Sequence, residues 1–294
     1  MSRGDYRVPS GAVSRAISAV DQALWDIRGQ HYGQPVCRLL GGSCADEIEV
    51  YFTFGLDTYT PEEEAEAARR LIAQGHHAFK LVSSTDRHNP DASRDVARLR
   101  ALRDLAGAGA RIMIDGRAGL DLYHARRMAR RIEPYDVAYF DEPLIGKDPV
   151  ALKELRRACP RVPIAARGFS GSIQGNRDLI TQGAVDVVGS NVLDGGGYTQ
   201  SIKVAHLAEM YQLPLVTGGG WHPQNAHLIA AVNNGWMTEI FAISGLVCET
   251  LFVDAIKPVR GKLRLGDKPG LGLRLNDDAV REAAERGRSV QRNG

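Results

Sequence analysis

Cysteine is scarce in this sequence, and long apolar stretches and a surplus of one charge are absent from it. The four cysteines form no Cys-x-x-Cys pair, which argues against a zinc ribbon or a disulfide framework and predicts reduced thiols. Lys and Arg total 37 against 35 Asp and Glu, so nucleic acid and anionic membranes are not expected as partners. No uncharged apolar run approaches about 18 residues and no apolar leader occurs, which predicts a cytoplasmic protein without a membrane span.

What the chain does contain is a regular alternation of β-rich runs and helical patterns. Its 294 residues, 44% hydrophobic, suffice for one large α/β domain. The units recur every roughly 25–30 residues, the size of a strand, a helix and their loops. Eight strands are predicted, at residues 49–54, 78–82, 111–114, 137–140, 162–165, 185–188, 213–217 and 237–241. The pattern favours a (β/α)₈-type TIM barrel, although periodicity alone leaves a doubly wound sheet open.

Helix signals lie between these strands and at both ends of the chain. Thr60-Pro61-Glu62-Glu63 predicts a capping box, and Asp148-Pro149 predicts a second capped helix. An amphipathic helix is expected over residues 13–28, and a frayed tail from Asp277 onward. We divide the chain into an entry helix and loop (1–45), the barrel (46–245), and a C-terminal return segment with the tail (246–294).

Polar residues follow the predicted strands at the end where barrels carry their chemistry. Carboxylates there predict a Mg²⁺ site, and a lysine on a neighbouring strand predicts a base or a cation for a substrate carboxylate. Each residue alone has an ordinary structural explanation, such as a helix cap, so the argument depends on their conjunction. The candidates are Lys80, Asp115, Arg117, Asp141, Glu142, Arg167, Asn191, His222 and Glu239.

Several short motifs resemble the enolase superfamily, in its mandelate racemase and muconate-lactonizing branch. They lie at residues 23–30, 39–42, 140–143, 196–199, 226–231 and 269–272. The resemblance implies abstraction of a proton α to a carboxylate, with the enediolate stabilised on Mg²⁺. It also implies three carboxylate ligands, a Lys-x-Lys pair and a His–Asp pair as bases, and an α+β capping domain, most of which is expected to be absent here.

Carried over by position, the family's metal ligands fall only partly on carboxylates. The first falls on Asp115 and the second on Asp141, with Glu142 next to it. The third falls on Gly168, which has no side chain to offer. Any Mg²⁺ is therefore expected to bind weakly, because two carboxylates hold the ion less tightly than three.

The family's bases are also displaced in this sequence. The second lysine falls on Val82, and the aspartate of the sixth strand falls on Asn191. The histidine of the seventh strand falls on Gly218 or Gly219, so His222 is the nearest substitute. Glu239 alone stands where the family places a residue that assists the enediolate.

Two hypotheses follow, and a different (β/α)₈ enzyme remains a third. The first is a sugar-acid dehydratase-like lyase, or an isomerase, in which Arg117 or Arg167 pairs with the substrate carboxylate. The second is a degenerate barrel that binds a carboxylate without metal, through Arg167, or that serves in oligomerisation. A homo-oligomer is expected because the family's cap is not there to cover four apolar residues of the return segment, Leu263, Leu265, Leu271 and Leu273.

Overall fold

The computed structural model describes residues 11–41, 45–55, 59–168 and 173–292, and its strands close into a barrel. The strands are β1 Ile48–Phe54, β2 Ala78–Val82, β3 Arg111–Asp115, β4 Tyr139–Asp141, β5 Ile164–Ala166, β6 Val187–Ser190, β7 Leu215–Thr217, β8 Gly235–Phe241 and β9 Lys262–Leu263. Neighbours from β1 to β8 pair in parallel, and β8 also pairs with β1, which closes the ring. Strand β9 adds antiparallel to β1. The TIM barrel is confirmed and the doubly wound sheet is excluded.

Helices follow the strands, as the alternation predicts. They are α1 Ala12–Tyr32, α2 Val36–Gly41, α3 Pro61–Ala73, α4 Ser93–Ala106, α5 Leu122–Ile132, α6 Pro149–Ala158, α7 Ile173–Thr181, α8 Gly197–Met210, α9 His222–Ala230, α10 Ala242–Leu251 and α11 Asp277–Arg292. Short 3₁₀ turns cover Glu133–Tyr135 and Ile145–Lys147. Gly42 of the 39–42 motif and residues 293–294 of the tail lie outside the described residues.

Four strands begin two residues later than the apolar pattern predicts. These are β4, β5, β6 and β7, before which Val137, Val162 and Val185 are buried without joining the ladder. Proline cannot donate a ladder hydrogen bond, and Pro163 and Pro214 stand directly before β5 and β7. A buried apolar residue in the turn before a strand therefore cannot be told from a strand residue by the sequence pattern.

A layer of inward side chains fills the barrel and forms the floor of its mouth. One residue of each strand from β1 to β8 contributes: Tyr51, Ala78, Met113, Tyr139, Ala165, Val187, Val216 and Met237. Side chains two residues farther along a strand lie on the same face. Lys80, Asp115, Asp141, Arg167 and Glu239 therefore stand directly above this apolar floor.

Helix N-termini follow the predicted caps. The Glu63 N–H donates to Thr60 Oγ1 at 3.2 Å, and the Thr60 N–H donates to Glu63 Oε2 at 2.8 Å, which confirms the capping box. Asp148 accepts from two backbone N–H groups of α6. The frayed tail was wrong, because α11 forms there, with Asn276 Oδ1 accepting from the Ala279 N–H at 3.3 Å.

Helix α1 turns its apolar stripe to solvent rather than to the core. Val20, Leu24 and Ile27 are 40%, 57% and 63% exposed, whereas Ser14 and Ser18 on the other face are buried. Those small residues approach the loop before α8, where the Ser18 hydroxyl accepts from the Gly196 N–H at 2.8 Å. Although α1 has 21 residues, no described helix is long and apolar enough to cross a membrane.

Gly29 in α1 allows close contact with the return segment. A Cβ at Gly29 would stand 2.4 Å from the Gly270 Cα and 2.8 Å from the Gln34 carbonyl oxygen, both of which are backbone atoms. We expect Gly29→Ala to lower the free energy of unfolding by about 1–3 kcal/mol, because overpacking against backbone outweighs the helix propensity of alanine. Denaturant unfolding measures this loss. Gly245→Ala in α10, where a Cβ meets Ile240 Cγ2 at 3.7 Å, is the control and should not destabilise; equal effects would contradict the prediction.

The return segment packs on its own chain. Leu263 is fully buried, and Leu265 and Leu271 pack against the main core. Leu263, Leu265 and Leu271 therefore find packing partners within their own chain and do not need another subunit to cover them, whereas Leu273 is half-buried. Their partner is the barrel, because β9 joins β1 and Leu271 lies against α1 and α9. The homo-oligomer itself stays a prediction.

The thiols are not all reduced. Cys37 is disulfide-bonded, which corrects the expectation from the sequence. Cys159 and Cys248 are free and buried, and burial raises the pKa of Cys248 to about 11. The spacing of the cysteines did not reveal this bond.

Candidate functional site

Three carboxylates meet one lysine at the mouth of the barrel. Lys80 Nζ lies 2.8 Å from Asp141 Oδ2, 3.0 Å from Glu239 Oε1 and 3.4 Å from Asp115 Oδ2. The strand register brings them together, since Asp115 pairs with Asp141 across β3 and β4. The lysine side chain is only 3% exposed. Four residues predicted from the sequence thus form one buried ionic cluster.

The charges in this cluster set the pKa of each member. Burial lowers the pKa of Lys80, but Asp141 and Glu239 more than compensate, and it lies well above its usual value. Burial raises the pKa of Asp141 to about 7, although Lys80 opposes the rise. Burial alone would raise the pKa of Glu239, but Lys80 and Thr53 have the larger, opposite effect. The pKa of Glu239 therefore lies below its usual value. The carboxylates around Lys80 therefore favour its ammonium form, which is suited to holding an anion.

A second cluster surrounds Glu142. Its Oε1 lies 2.6 Å from Lys147 Nζ and 3.0 Å from Arg167 Nε. The same guanidinium reaches Asp194 Oδ2 at 3.0 Å through Nη1. Burial raises the pKa of Glu142, but Arg167 and Lys147 lower it below the usual value. Glu142 is thus paired with Lys147 and with Arg167, whose side chain remains 27% exposed at the mouth.

The described residues do not fit the magnesium site that the resemblance implies. No group of three His, Cys, Asp or Glu side chains among them is placed to hold a metal ion. Asp115 and Asp141 are directed at Lys80, and Glu142 is held by two other cations. At the third position, Gly168 offers only a backbone N–H, which donates to Asn176 Oδ1 at 3.0 Å.

His222 and Asn191 hydrogen-bond to groups outside the Lys80 cluster. The His222 ring contacts the Ile256 carbonyl oxygen through Nε2 at 2.9 Å, and burial lowers its pKa. It lines a cavity of about 940 Å³ outside the barrel, beside Phe52 and between α3 and α10. Asn191 Oδ1 accepts from the Leu193 N–H at 3.0 Å and so anchors its own loop. The acid–base role expected of His222 has no support from its placement.

Arg117 lies at the rim of the mouth. It is exposed, and its backbone has a φ of 54°. The Arg117 N–H donates to Asp115 Oδ1 at 2.8 Å, and its Nη1 lies 3.4 Å from the Ser83 carbonyl oxygen. This backbone contact fixes Asp115, while the guanidinium stands on the approach to the Lys80 cluster.

Sequence reasoning missed three residues of the site. Thr53 donates from its hydroxyl to Glu239 Oε1, and Lys147 and Asp194 complete the Glu142 cluster. Thr53 follows Tyr51 at the two-residue spacing of a strand, so the alternation of β1 held a usable signal. Lys147 ends a short 3₁₀ turn and Asp194 lies in a loop, and neither position has a period that marks the direction of a side chain.

The chain is similar to known families and proteins. The family described as Enolase C-terminal domain-like matches residues 63–279, and the mandelate racemase / muconate lactonizing enzyme N-terminal domain matches residues 4–41. An L-rhamnonate dehydratase from Saccharopolyspora erythraea is 31% identical over 285 residues, 93% of this chain and 69% of that protein. An arabinonate dehydratase from Saccharolobus solfataricus is 28% identical over 280 residues, 92% of this chain and 73% of that protein.

Solved structures show the same likeness. An L-talarate dehydratase from Polaromonas sp. JS666, in complex with Mg and L-glucarate, has a TM-score of 0.83 and 30% identity, covering 92% of this chain and 73% of that one. A racemase from Streptomyces coelicolor with bound magnesium has a TM-score of 0.82 and 28% identity, covering 92% and 72%. The barrel, its motifs and these matches agree, and the chain belongs to the enolase superfamily, in the mandelate racemase and muconate lactonizing enzyme branch.

Proposed function

We propose that the mouth of this barrel binds a polyhydroxy carboxylic acid of the sugar-acid class. The observation that carries the proposal is the Arg167 guanidinium, which is partly exposed at the mouth and held between Glu142 and Asp194. A guanidinium recognises a carboxylate through two parallel hydrogen bonds. Arg117, exposed on the rim, supplies a second one.

The acidic side chains suit the hydroxyl groups of such a ligand. Asp194 Oδ1 is buried and has no hydrogen-bond partner among the described residues. A buried acceptor without a partner is costly, and a sugar hydroxyl would satisfy it. Asp115 and Asp141, 21% and 15% exposed, offer further acceptors above the apolar floor. Relatives that act on rhamnonate and arabinonate support the same class of ligand.

The second candidate is dehydration or racemisation of that acid by Mg²⁺-assisted α-proton abstraction. The carboxyl groups of Asp115, Asp141 and Glu239 meet around Lys80 and offer oxygen atoms of the kind that Mg²⁺ prefers as ligands. Against it, neither residue carried over as acid or base is suitably placed or charged. The carboxylates around Lys80 favour its protonated form, and His222 faces the outer cavity.

Calorimetric titration with L-rhamnonate and L-glucarate, each with EDTA and with Mg²⁺, tests both candidates. We expect binding in EDTA, and we expect Arg167→Met to weaken it at least about 30-fold, because a buried charge contact to the ligand is lost. Arg177→Met is the control, since Arg177 is exposed and pairs only with Asp178 among the described acids.

The outcomes separate the two candidates. Binding that needs Mg²⁺, accompanied by formation of a dehydrated product, would favour the second candidate. Equal affinity in the wild-type protein and in Arg167→Met would contradict the place assigned to the guanidinium. Absence of binding under both conditions would contradict the sugar-acid proposal itself.

A further inference from the structure

Three carboxylates from three different strands point at a single position, and a lysine of a fourth strand occupies it. Asp115, Asp141 and Glu239 end or lie within β3, β4 and β8, and their nearest oxygens are 2.8–3.4 Å from Lys80 Nζ. An ammonium group has three N–H donors, so one donor faces each carboxylate. The three carboxylates therefore match the three donors of the ammonium group.

The lysine is enclosed on every side that the structure describes. Its side chain is 3% exposed, and Nζ lies 5.1 Å from the centre of the Tyr51 ring, which forms the floor. The carboxylates around it have further contacts that fix them. The Thr53 hydroxyl bonds Glu239, and the Arg117 N–H bonds Asp115 Oδ1 at 2.8 Å. Neither the cation nor its ligands are surface groups that rearrange freely.

We propose that the Lys80 ammonium is the resident cation of this site and replaces the divalent metal of the family. A metal bound to Asp115 and Asp141 would have to enter the position of Nζ or lie against it, where the two positive charges repel each other. Gly168 provides no side chain that would hold the metal elsewhere, and Glu142 is already paired with Lys147 and Arg167.

The size of this position predicts which metal it accepts once the ammonium is removed. Oxygens 2.8–3.4 Å from the centre must move inward for any metal. Ca²⁺ binds oxygens at about 2.3–2.6 Å and tolerates irregular geometry, whereas Mg²⁺ requires about 2.0–2.1 Å and a near-octahedral shell. Removing the ammonium is therefore expected to create a divalent site that prefers Ca²⁺.

Thermal unfolding of the full chain in EDTA, in 10 mM Ca²⁺ and in 10 mM Mg²⁺ tests the proposal. We expect the Tm of the wild-type protein to change by less than about 1 °C, because ammonium already fills the site. Lys80→Ala should melt lower in EDTA and recover by about 4 °C or more in Ca²⁺, with a smaller recovery in Mg²⁺. Adding Asp141→Asn to Lys80→Ala should abolish the recovery.

Lys147→Ala is the matched control, because Lys147 is a half-buried lysine paired with Glu142. It should also melt lower, but Ca²⁺ should not restore it. Submillimolar Mg²⁺ binding by the wild-type protein in calorimetry, lost in Asp115→Asn, would overturn the proposal. A folded Lys80→Ala that ignores Ca²⁺ would overturn it equally.

If Lys80→Ala does not fold, Lys80→Gln takes its place in the same titrations. The glutamine is uncharged and fills part of the space, so a Ca²⁺-dependent rise in Tm supports the proposal and its absence overturns it. No sugar acid is present in these experiments. Their outcome is therefore independent of the proposed ligand, and failure of one proposal does not imply failure of the other.

Discussion

Replacing Arg98 with methionine is expected to lower the free energy of unfolding by about 3–5 kcal/mol, because it leaves buried carboxylates unpaired. Arg98 Nε lies 2.8 Å from Glu64 Oε2, and Nη1 lies 2.8 Å from Asp95 Oδ1. The guanidinium also donates to the carbonyl oxygens of Val82, at 2.9 Å, and Gly55, at 2.6 Å. It thereby joins α3, α4 and the ends of β1 and β2, and its side chain is 7% exposed.

Denaturant unfolding at neutral pH measures this effect, and the same helix supplies the control. Arg100 in α4 is 73% exposed and lies 3.9 Å from Asp104. Arg100→Met should change stability by no more than about 0.5 kcal/mol, as exposed ion pairs usually do. If Arg98→Met were equally mild, the buried network would not hold this side of the barrel together.

His227 is expected to make the protein sensitive to acid. Burial lowers the pKa of His227 to about 4 from 6.5, although the Leu271 carbonyl oxygen, 3.2 Å from Nε2, opposes the shift. Its Nδ1 accepts from the Cys37 N–H at 3.3 Å, so the folded protein keeps the ring neutral. The unfolded chain takes up a proton near pH 6.5 and the folded chain does not. The contribution of neutral His227 to the free energy of unfolding is therefore fully present above that pH. About 3 kcal/mol of it is lost as the pH falls to 4.

His227→Gln isolates this contribution. Glutamine stays neutral and can still donate toward Leu271, so we expect a loss of about 1 kcal/mol at pH 7. Between pH 7 and pH 4 the free energy of unfolding of the variant should fall by about 3 kcal/mol less than that of the wild-type protein. The carboxylates titrate in both proteins, so their effect cancels in this difference. His206→Gln, at an exposed position of α8, serves as control. Parallel stability curves for the wild-type protein and His227→Gln would refute the prediction.

Local patterns were sufficient for the barrel and its caps. Thr60 and Asp148 cap their helices because each side chain bonds to backbone groups two or three residues away. The eight strands could be counted because alternation and spacing are properties of adjacent residues. The starts of four strands were predicted two residues too early, because an apolar pattern over a few adjacent residues does not distinguish a buried turn from the strand that follows it.

The contacts of the candidate site depended on distant parts of the chain. Lys80, Asp141 and Glu239 are far apart in sequence, and their union depends on ring closure between β8 and β1. The sequence placed Lys80 and Asp115 at the mouth but could not show that the ammonium fills the centre of the carboxylates. It also could not show that His222, one turn beyond β7, faces the outside of the barrel.

The sequence by itself determined the family, the (β/α)₈ order and the strand ends that carry charge. These depend only on short motifs and on the order of elements along the chain. Only the tertiary structure decided which charges neutralise each other and which face of α1 is buried. The apolar stripe of that helix faces solvent because Ser14, Ser18 and Gly29 permit closer packing. Ionic contacts and close packing depend on distances of a few ångströms between remote residues, which periodicity does not encode.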